Sequence, residues 1–116
     1  MFNDALRTRT FAFAISTVKA LRLIPESRES QIFKSQLTKS ASSLAANFRA
    51  SCVSRSQKEW HSKISIAIEE TDESTFWLEI LENLYPEYAD SLAEIKKESI
   101  ELVKILSKTR GKLSSP

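Results

Sequence analysis

The sequence predicts an all-α protein, folded as an antiparallel up-down-up-down four-helix bundle. The chain has 116 residues, of which 41% are hydrophobic and 28% charged, a balance typical of one globular domain. One glycine and three prolines supply too little turn chemistry for an all-β fold. Apolar residues recur at steps of three and four residues, which is the period of a buried helix face.

The first two helices are separated by Pro25 and the polar residues that follow it. We expect the first helix over about residues 3–24 and the second over about residues 29–53. The second helix contains the run "SASSLAA" at residues 40–46. Small side chains let helices approach closely, and hydroxyl groups can bond back to carbonyl groups one turn earlier. The run is therefore interpreted as structural.

The third helix opens near Ser56, because Ser56 and Glu59 have the spacing of a capping box. It is expected to end near residue 84, ahead of Pro86, which suits the first turn of a fourth helix. That fourth helix is expected to end at about residue 109. Residues 1–110 are thus predicted to form the bundle, and residues 111–116 a flexible C-terminal tail.

Two of the helices carry two apolar stripes each. The core stripe of the third helix comprises Trp60, Ile64, Ala67, Ile68, Thr71, Leu78, Leu81 and Tyr85, and its second stripe comprises Ile66, Trp77, Ile80 and Leu84. The core face of the first helix comprises Leu6, Phe13, Ala20, Leu21 and Ile24, and its second face comprises Phe11, Ile15 and Val18. A single bundle needs only one buried stripe on each helix.

The second stripes predict a homo-oligomer interface. Burying a large apolar side chain contributes roughly 1.5–3 kcal/mol, so seven such residues left in water would favour aggregation. Trp77 is accordingly expected to pack against another subunit, while Leu78 and Leu81 face their own bundle. The alternative is a tightly wrapped bundle that buries both stripes by itself.

Charge is distributed unevenly along the chain. Residues 1–66 carry 11 basic and 4 acidic side chains, whereas residues 67–106 carry 3 basic and 11 acidic ones. This asymmetry can attract one half of the bundle to the other, or it can steer a polyanion to one end. An antiparallel pairing around Ser54 would place Lys39 beside Glu69.

A basic cluster near the connection between the second and third helices is the candidate nucleic-acid-binding site. It comprises Arg49, Arg55, Lys58 and Lys63, with Trp60 and His61 interleaved. Such cations contact phosphates, and an exposed aromatic ring can stack on a base. The alternative is an ordinary solvated helix-turn surface.

Catalytic, cofactor and metal sites are not expected. His61 is the only histidine, which excludes di-iron and zinc ligand sets and leaves a catalytic triad without its usual context. Gly111 is the only glycine, so a phosphate-binding loop is excluded. The acidic face of Glu69, Asp72 and Glu73 is interpreted as solvated or paired with lysine rather than as a cation site. With no leader and no long apolar run, we expect a cytoplasmic protein without a membrane partner.

Two segments resemble the four-helix-bundle family encoded in 23S ribosomal RNA intervening sequences, also called S23 ribosomal proteins. They are "LTKSASSLAANFRAS" (37–51) and "SRSQKEWHSKISIAIEETDESTFWLEIL" (54–81). The family motif is matched by Lys39, Leu44, Asn47, Phe48, Glu70, Glu73, Trp77 and Leu78. The chain departs from the family at Ala50-Ser51, where Glu-Gly is usual. The accessory protein of diversity-generating retroelements is similar too.

The resemblance implies an antiparallel bundle that assembles into a ring-like homopentamer without known catalysis. For the retroelement relatives it implies basic surfaces that bind nucleic acid and a reverse transcriptase. Partners expected from this resemblance are therefore a second copy of the chain, RNA or DNA, or a reverse transcriptase. A purely protein-binding scaffold, whose basic residues serve solubility and subunit pairing, remains the alternative.

Overall fold

The computed structural model describes residues 2–114, with side chains for residues 3–111. Within that range the chain forms α1 (Phe2–Leu21), α2 (Arg28–Cys52), α3 (Gln57–Leu84) and α4 (Ala89–Ser114), with a 3-10 turn at Pro86–Tyr88 between the last two. The helices pack against one another in a body measuring 47 × 21 × 20 Å. The predicted all-α four-helix fold is therefore confirmed. The predicted ring-like assembly stays a prediction.

Serine caps set the starts of two helices. The Ser27 hydroxyl accepts from the Ser30 backbone N–H at 3.0 Å, and the Ser30 hydroxyl accepts from the Ser27 backbone N–H at 2.8 Å. This reciprocal pair begins α2 at Arg28. Ser56 accepts from the Glu59 backbone N–H at 3.0 Å, which begins α3 near the predicted residue.

The ends of α1 and α4 differ from the predictions. The α1 helix ends at Leu21, three residues early, because Arg22 to Ile24 continue as a turn with i→i+3 hydrogen bonds. The α4 helix continues to Ser114. Gly111 does not end it, since Gly111 does not adopt the positive φ of a glycine C-cap. Of the predicted tail, residues 111–114 are helical and residues 115–116 lie outside the described range.

Hydroxyl pairs connect helices inside the apolar core. Ser40 on α2 and Ser74 on α3 are 2.9 Å apart, and Thr75 on α3 and Ser99 on α4 are 2.7 Å apart, all four being buried. Each pair satisfies polar groups that would otherwise be costly to bury. The small side chains predicted to permit close helix approach thus sit at the α2–α3 crossing.

The core itself follows the predicted stripes. On α3, the side chains of Ile64, Leu78 and Leu81 are fully buried, and on α1 those of Phe13 and Leu21 are nearly so. The α1 helix packs mainly on α2 and more lightly on α4. A two-pronged ion pair strengthens the lighter contact, with Arg9 donating to both Glu98 oxygens at 2.7 and 2.8 Å.

Candidate nucleic-acid interface

One end of the bundle gathers basic residues from three separate segments. Because neighbouring helices are antiparallel, the start of α1, the end of α2, the start of α3 and the end of α4 meet there. Arg110 on α4 donates to Ser65 on α3 at 3.1 Å, and Arg7 and Arg49 line the same groove between α1 and α2. We call this the basic end and define it as residues 3–9, 49–63 and 104–111.

The basic end carries nine basic and two acidic side chains. Its basic residues are Arg7, Arg9, Arg49, Arg55, Lys58, Lys63, Lys104, Lys108 and Arg110. Among the described residues, only Arg9 of these nine has a carboxylate within 4 Å. Eight cations are thus left to attract anions from solution, which is the electrostatic arrangement that favours a polyanion.

The four predicted nucleic-acid-binding residues all lie at this end. Arg55 is in the connection between α2 and α3, Lys58 is in the first turn of α3, and both are exposed. Arg49 is exposed near the end of α2, whereas Lys63 is half-buried one turn further along α3. Trp60 is also half-buried and packs on the core, so it is less available for base stacking than predicted.

The second half of α3 and the connection that leads into α4 are acidic. Residues 69–90 carry eight carboxylates and no basic side chain. Within the described residues, no three His, Cys, Asp or Glu side chains converge closely enough to hold a metal ion. This acidic segment lies away from the basic end, so charge is uneven along the bundle, which would turn the basic end toward a polyanion.

The structure places the two adjacent aromatic residues of α3 in different surroundings. Trp77 packs on the core of its own chain and lies 5.9 Å from the Phe33 ring of α2, and its buried Nε1 has no hydrogen-bond acceptor among the described residues. Phe76 is the exposed one, at 52%, with its ring edge-on to Trp77 at 4.9 Å. The packing that the sequence analysis assigned to another subunit is thus partly supplied by Phe33.

The remaining predicted interface residues divide into two groups. Phe11 and Ile15 on α1, and Ile66 and Leu84 on α3, are exposed. Val18 and Ile80 are half-buried. The interface itself stays a prediction, but its apolar side chains are available on two separate helices.

An open groove of about 720 Å³ runs between α1 and α2. Its floor is formed by small side chains, its wall includes Phe11 and Ile15, and Arg7 and Arg49 contribute to its lining. Phe11 is 62% exposed and Ile15 44% exposed. The serine- and alanine-rich run of α2 therefore has two consequences, a close packing with α3 on one side and this groove on the other.

A polar cluster sits at the outer edge of the α2–α3 contact. The Asn47 amide donates to the Ser43 carbonyl and hydroxyl at 2.9 and 3.1 Å. Burial and the neighbouring Glu73 carboxylate raise the pKa of Glu70, while the Ser43 hydroxyl and Lys39 act in the opposite direction. Lys39 thus faces Glu70, one residue from the Glu69 that the predicted register gave.

This cluster contains residues that the sequence analysis assigned to one family motif. Residues 5–108 match the sequence profile of the 23S rRNA-intervening sequence protein family. The chain belongs to this family. The match extends well beyond the two segments that carry the resemblance, and it reaches into all four helices.

A solved relative has the same fold as this intervening-sequence family member. It is a protein of unknown function from the S23 ribosomal protein family of Bacteroides thetaiotaomicron VPI-5482. The two chains are 22% identical, the alignment covers 96% of this chain and 99% of the relative, and the TM-score is 0.86. No curated protein is found to match the chain.

The basic end contains cations from α1 and α4 as well as those of the predicted cluster. The sequence analysis missed Arg7, Lys104, Lys108 and Arg110, because they are far from the basic cluster in sequence. Their only signal was the antiparallel order of the helices, which places the start of α1 and the end of α4 beside the turn between α2 and α3. Among the described helices, none is both long and apolar enough to cross a membrane.

Proposed function

We infer that this intervening-sequence family member is a non-enzymatic, self-assembling helical bundle that binds RNA or another nucleic acid through its basic end. The observation that carries the proposal is the gathering of eight cations without carboxylate partners at one end of the bundle. Phosphate contacts from lysine and arginine supply most of the sequence-independent affinity for nucleic acids.

Self-assembly would strengthen such binding. Each subunit of a ring or chain contributes one basic end, and linked weak sites bind together with a much higher effective concentration. The exposed apolar side chains of α1 and α3 support assembly. A nucleic-acid enzyme such as a reverse transcriptase is a further partner consistent with this role, since its bound template would present the same phosphates.

A protein-binding scaffold is the second candidate function. The open apolar groove between α1 and α2 favours it, since such a groove accepts a helix or a bulky side chain. In that function the basic end would serve solubility and would not need to bind phosphate.

Salt dependence separates the two candidates. The affinity of the protein for an unstructured single-stranded RNA should be measurable at about 50 mM salt. It should fall by on the order of 10³-fold or more by about 200 mM if six or more phosphates are contacted. Fluorescence anisotropy of a labelled RNA provides the measurement. Absence of binding at the lower salt concentration would refute nucleic-acid binding and leave the scaffold function.

A further inference from the structure

The α1–α2 groove has room for a bulky apolar side chain of a second molecule. Three alanines and Ser42 line it, and their small side chains leave the backbone close to the open space. Its apolar wall is strongly exposed in a single chain, since Phe11 is 62% accessible. Arg7 and Arg49 flank it, opposed by one carboxylate, Asp4. The groove therefore favours an exposed apolar side chain that is surrounded by negatively charged residues. We call such a side chain a knob.

The outer face of α3 presents such a knob. Phe76 is 52% exposed in the middle of the helix. Positions three and four residues away share its face, and they hold Asp72, Glu73 and Glu79, all exposed. No basic side chain occurs anywhere in residues 69–90. An exposed aromatic ring surrounded by carboxylates thus complements an apolar groove flanked by arginines.

We propose that Phe76 of one copy docks into the α1–α2 groove of a second copy, with its surrounding carboxylates facing Arg7 and Arg49. Phe76 cannot enter the groove of its own chain, because α1 and α3 are diagonal neighbours that make no close contact among the described residues. A second copy is the occupant favoured by the charges, since the chain itself carries the complementary face. The inference gives the self-assembly part of the proposed function a specific contact, and it does not depend on RNA binding. Arg7 and Arg49 are then paired between copies, and the other six unpaired cations of the basic end remain for RNA.

The contact is heterologous, since the two faces that meet are different surfaces. Every subunit then has one knob and one groove, and repetition of the contact builds a closed ring or an open chain. Disabling the knob leaves the groove intact, and the reverse is also true. Two variants that are each unable to assemble should therefore complement each other.

The test uses Phe76→Ser, which removes the knob without adding a charge, and Ala46→Glu, which places a carboxylate in the groove. Both positions are exposed, so each variant should retain the helix content of the wild type, checked by circular dichroism. The wild type should exceed the 13.2 kDa of one chain by light scattering, whereas each variant alone should have that mass. An equal mixture should form dimers of about 26 kDa, twice that mass, because only one knob–groove contact can form.

Three results would overturn the inference. They are a wild type of single-chain mass, a variant that still assembles alone, and a mixture that stays at 13.2 kDa. Should Ala46→Glu lose helix content, Ser42→Glu at a second exposed groove position replaces it. If both variants still assemble, the Phe76 contact is refuted but self-assembly is not. If the protein does not bind RNA, nucleic-acid binding is refuted but the Phe76 contact is not.

Discussion

Replacing Arg55, Lys58 and Lys63 together by glutamate is expected to weaken RNA binding by on the order of 10- to 100-fold at about 50 mM salt. The change removes three cations from the basic end and puts three carboxylates in their place. Each lost charge-assisted contact costs about a kcal/mol or more, and about 1.4 kcal/mol corresponds to a factor of ten. Fluorescence anisotropy with a single-stranded RNA measures the loss.

A matched variant controls for total charge. Lys19, Arg22 and Arg28 are exposed at the opposite end of the bundle, and replacing all three by glutamate makes the same change in net charge. This variant should keep an affinity within a few-fold of the wild type. Equal losses in both variants would mean that net charge, rather than the basic end, attracts the RNA. Circular dichroism checks that the half-buried Lys63 tolerates the substitution.

Leu78→Ala is expected to destabilise the fold by about 2–5 kcal/mol. Leu78 is fully buried where α3 meets the core, so truncation loses its apolar burial and leaves a cavity among rigid neighbours. For a domain of this size the melting temperature should fall by roughly 10–20 °C. Denaturant unfolding and thermal melting followed by circular dichroism measure both quantities.

The same substitution at an exposed leucine provides the comparison. Leu23 lies in the turn after α1 and is 56% exposed, so Leu23→Ala should change the free energy of unfolding by no more than about 0.5 kcal/mol. A large loss at Leu23 together with little loss at Leu78 would contradict the packing described for α3. The protein concentration is held constant, because assembly adds to the measured stability.

The number and order of the helices could be predicted from local signals, although the ends of α1 and α4 could not. Pro25 and Pro86 separate helices, Ser56 caps α3, and apolar periodicity gave the core faces of α1 and α3. The end of α4 was harder to predict. Glycine often ends a helix by adopting a positive φ. The sequence does not indicate whether Gly111 adopts this conformation, and in the structure it does not.

The side chains of α3 show the limit of what apolar periodicity can assign. Phe76 and Trp77 are adjacent, so a small rotation of the helix decides which one contacts α2. The sequence analysis assigned Trp77 to a subunit interface, which stays a prediction, and the structure packs the indole beside Phe33 of the same chain. Periodicity assigns residues to faces only to within about one position, and the partner helix decides the rest.

The basic end could be predicted only in part, for a different reason. Arg49, Arg55, Lys58 and Lys63 are close in sequence and formed a visible cluster. The neighbouring cations on α1 and α4 are far from this cluster in sequence. The antiparallel topology places them beside it, and a count of charges along the sequence does not show this. A surface assembled from distant segments appears once the order and direction of the helices are combined with the charges on each.

The central claim is that the bundle topology, rather than one local cluster, builds the nucleic-acid surface. The most direct test is the RNA affinity of a Lys104→Glu, Lys108→Glu variant, since both residues are exposed on α4 and lie outside the sequence cluster. Replacing Lys19 and Arg22 by glutamate at the other end is the control. We expect the α4 variant to bind RNA several-fold to tenfold more weakly than the control and to show a shallower salt dependence. Equal affinities and equal salt dependence in the two variants would contradict the claim.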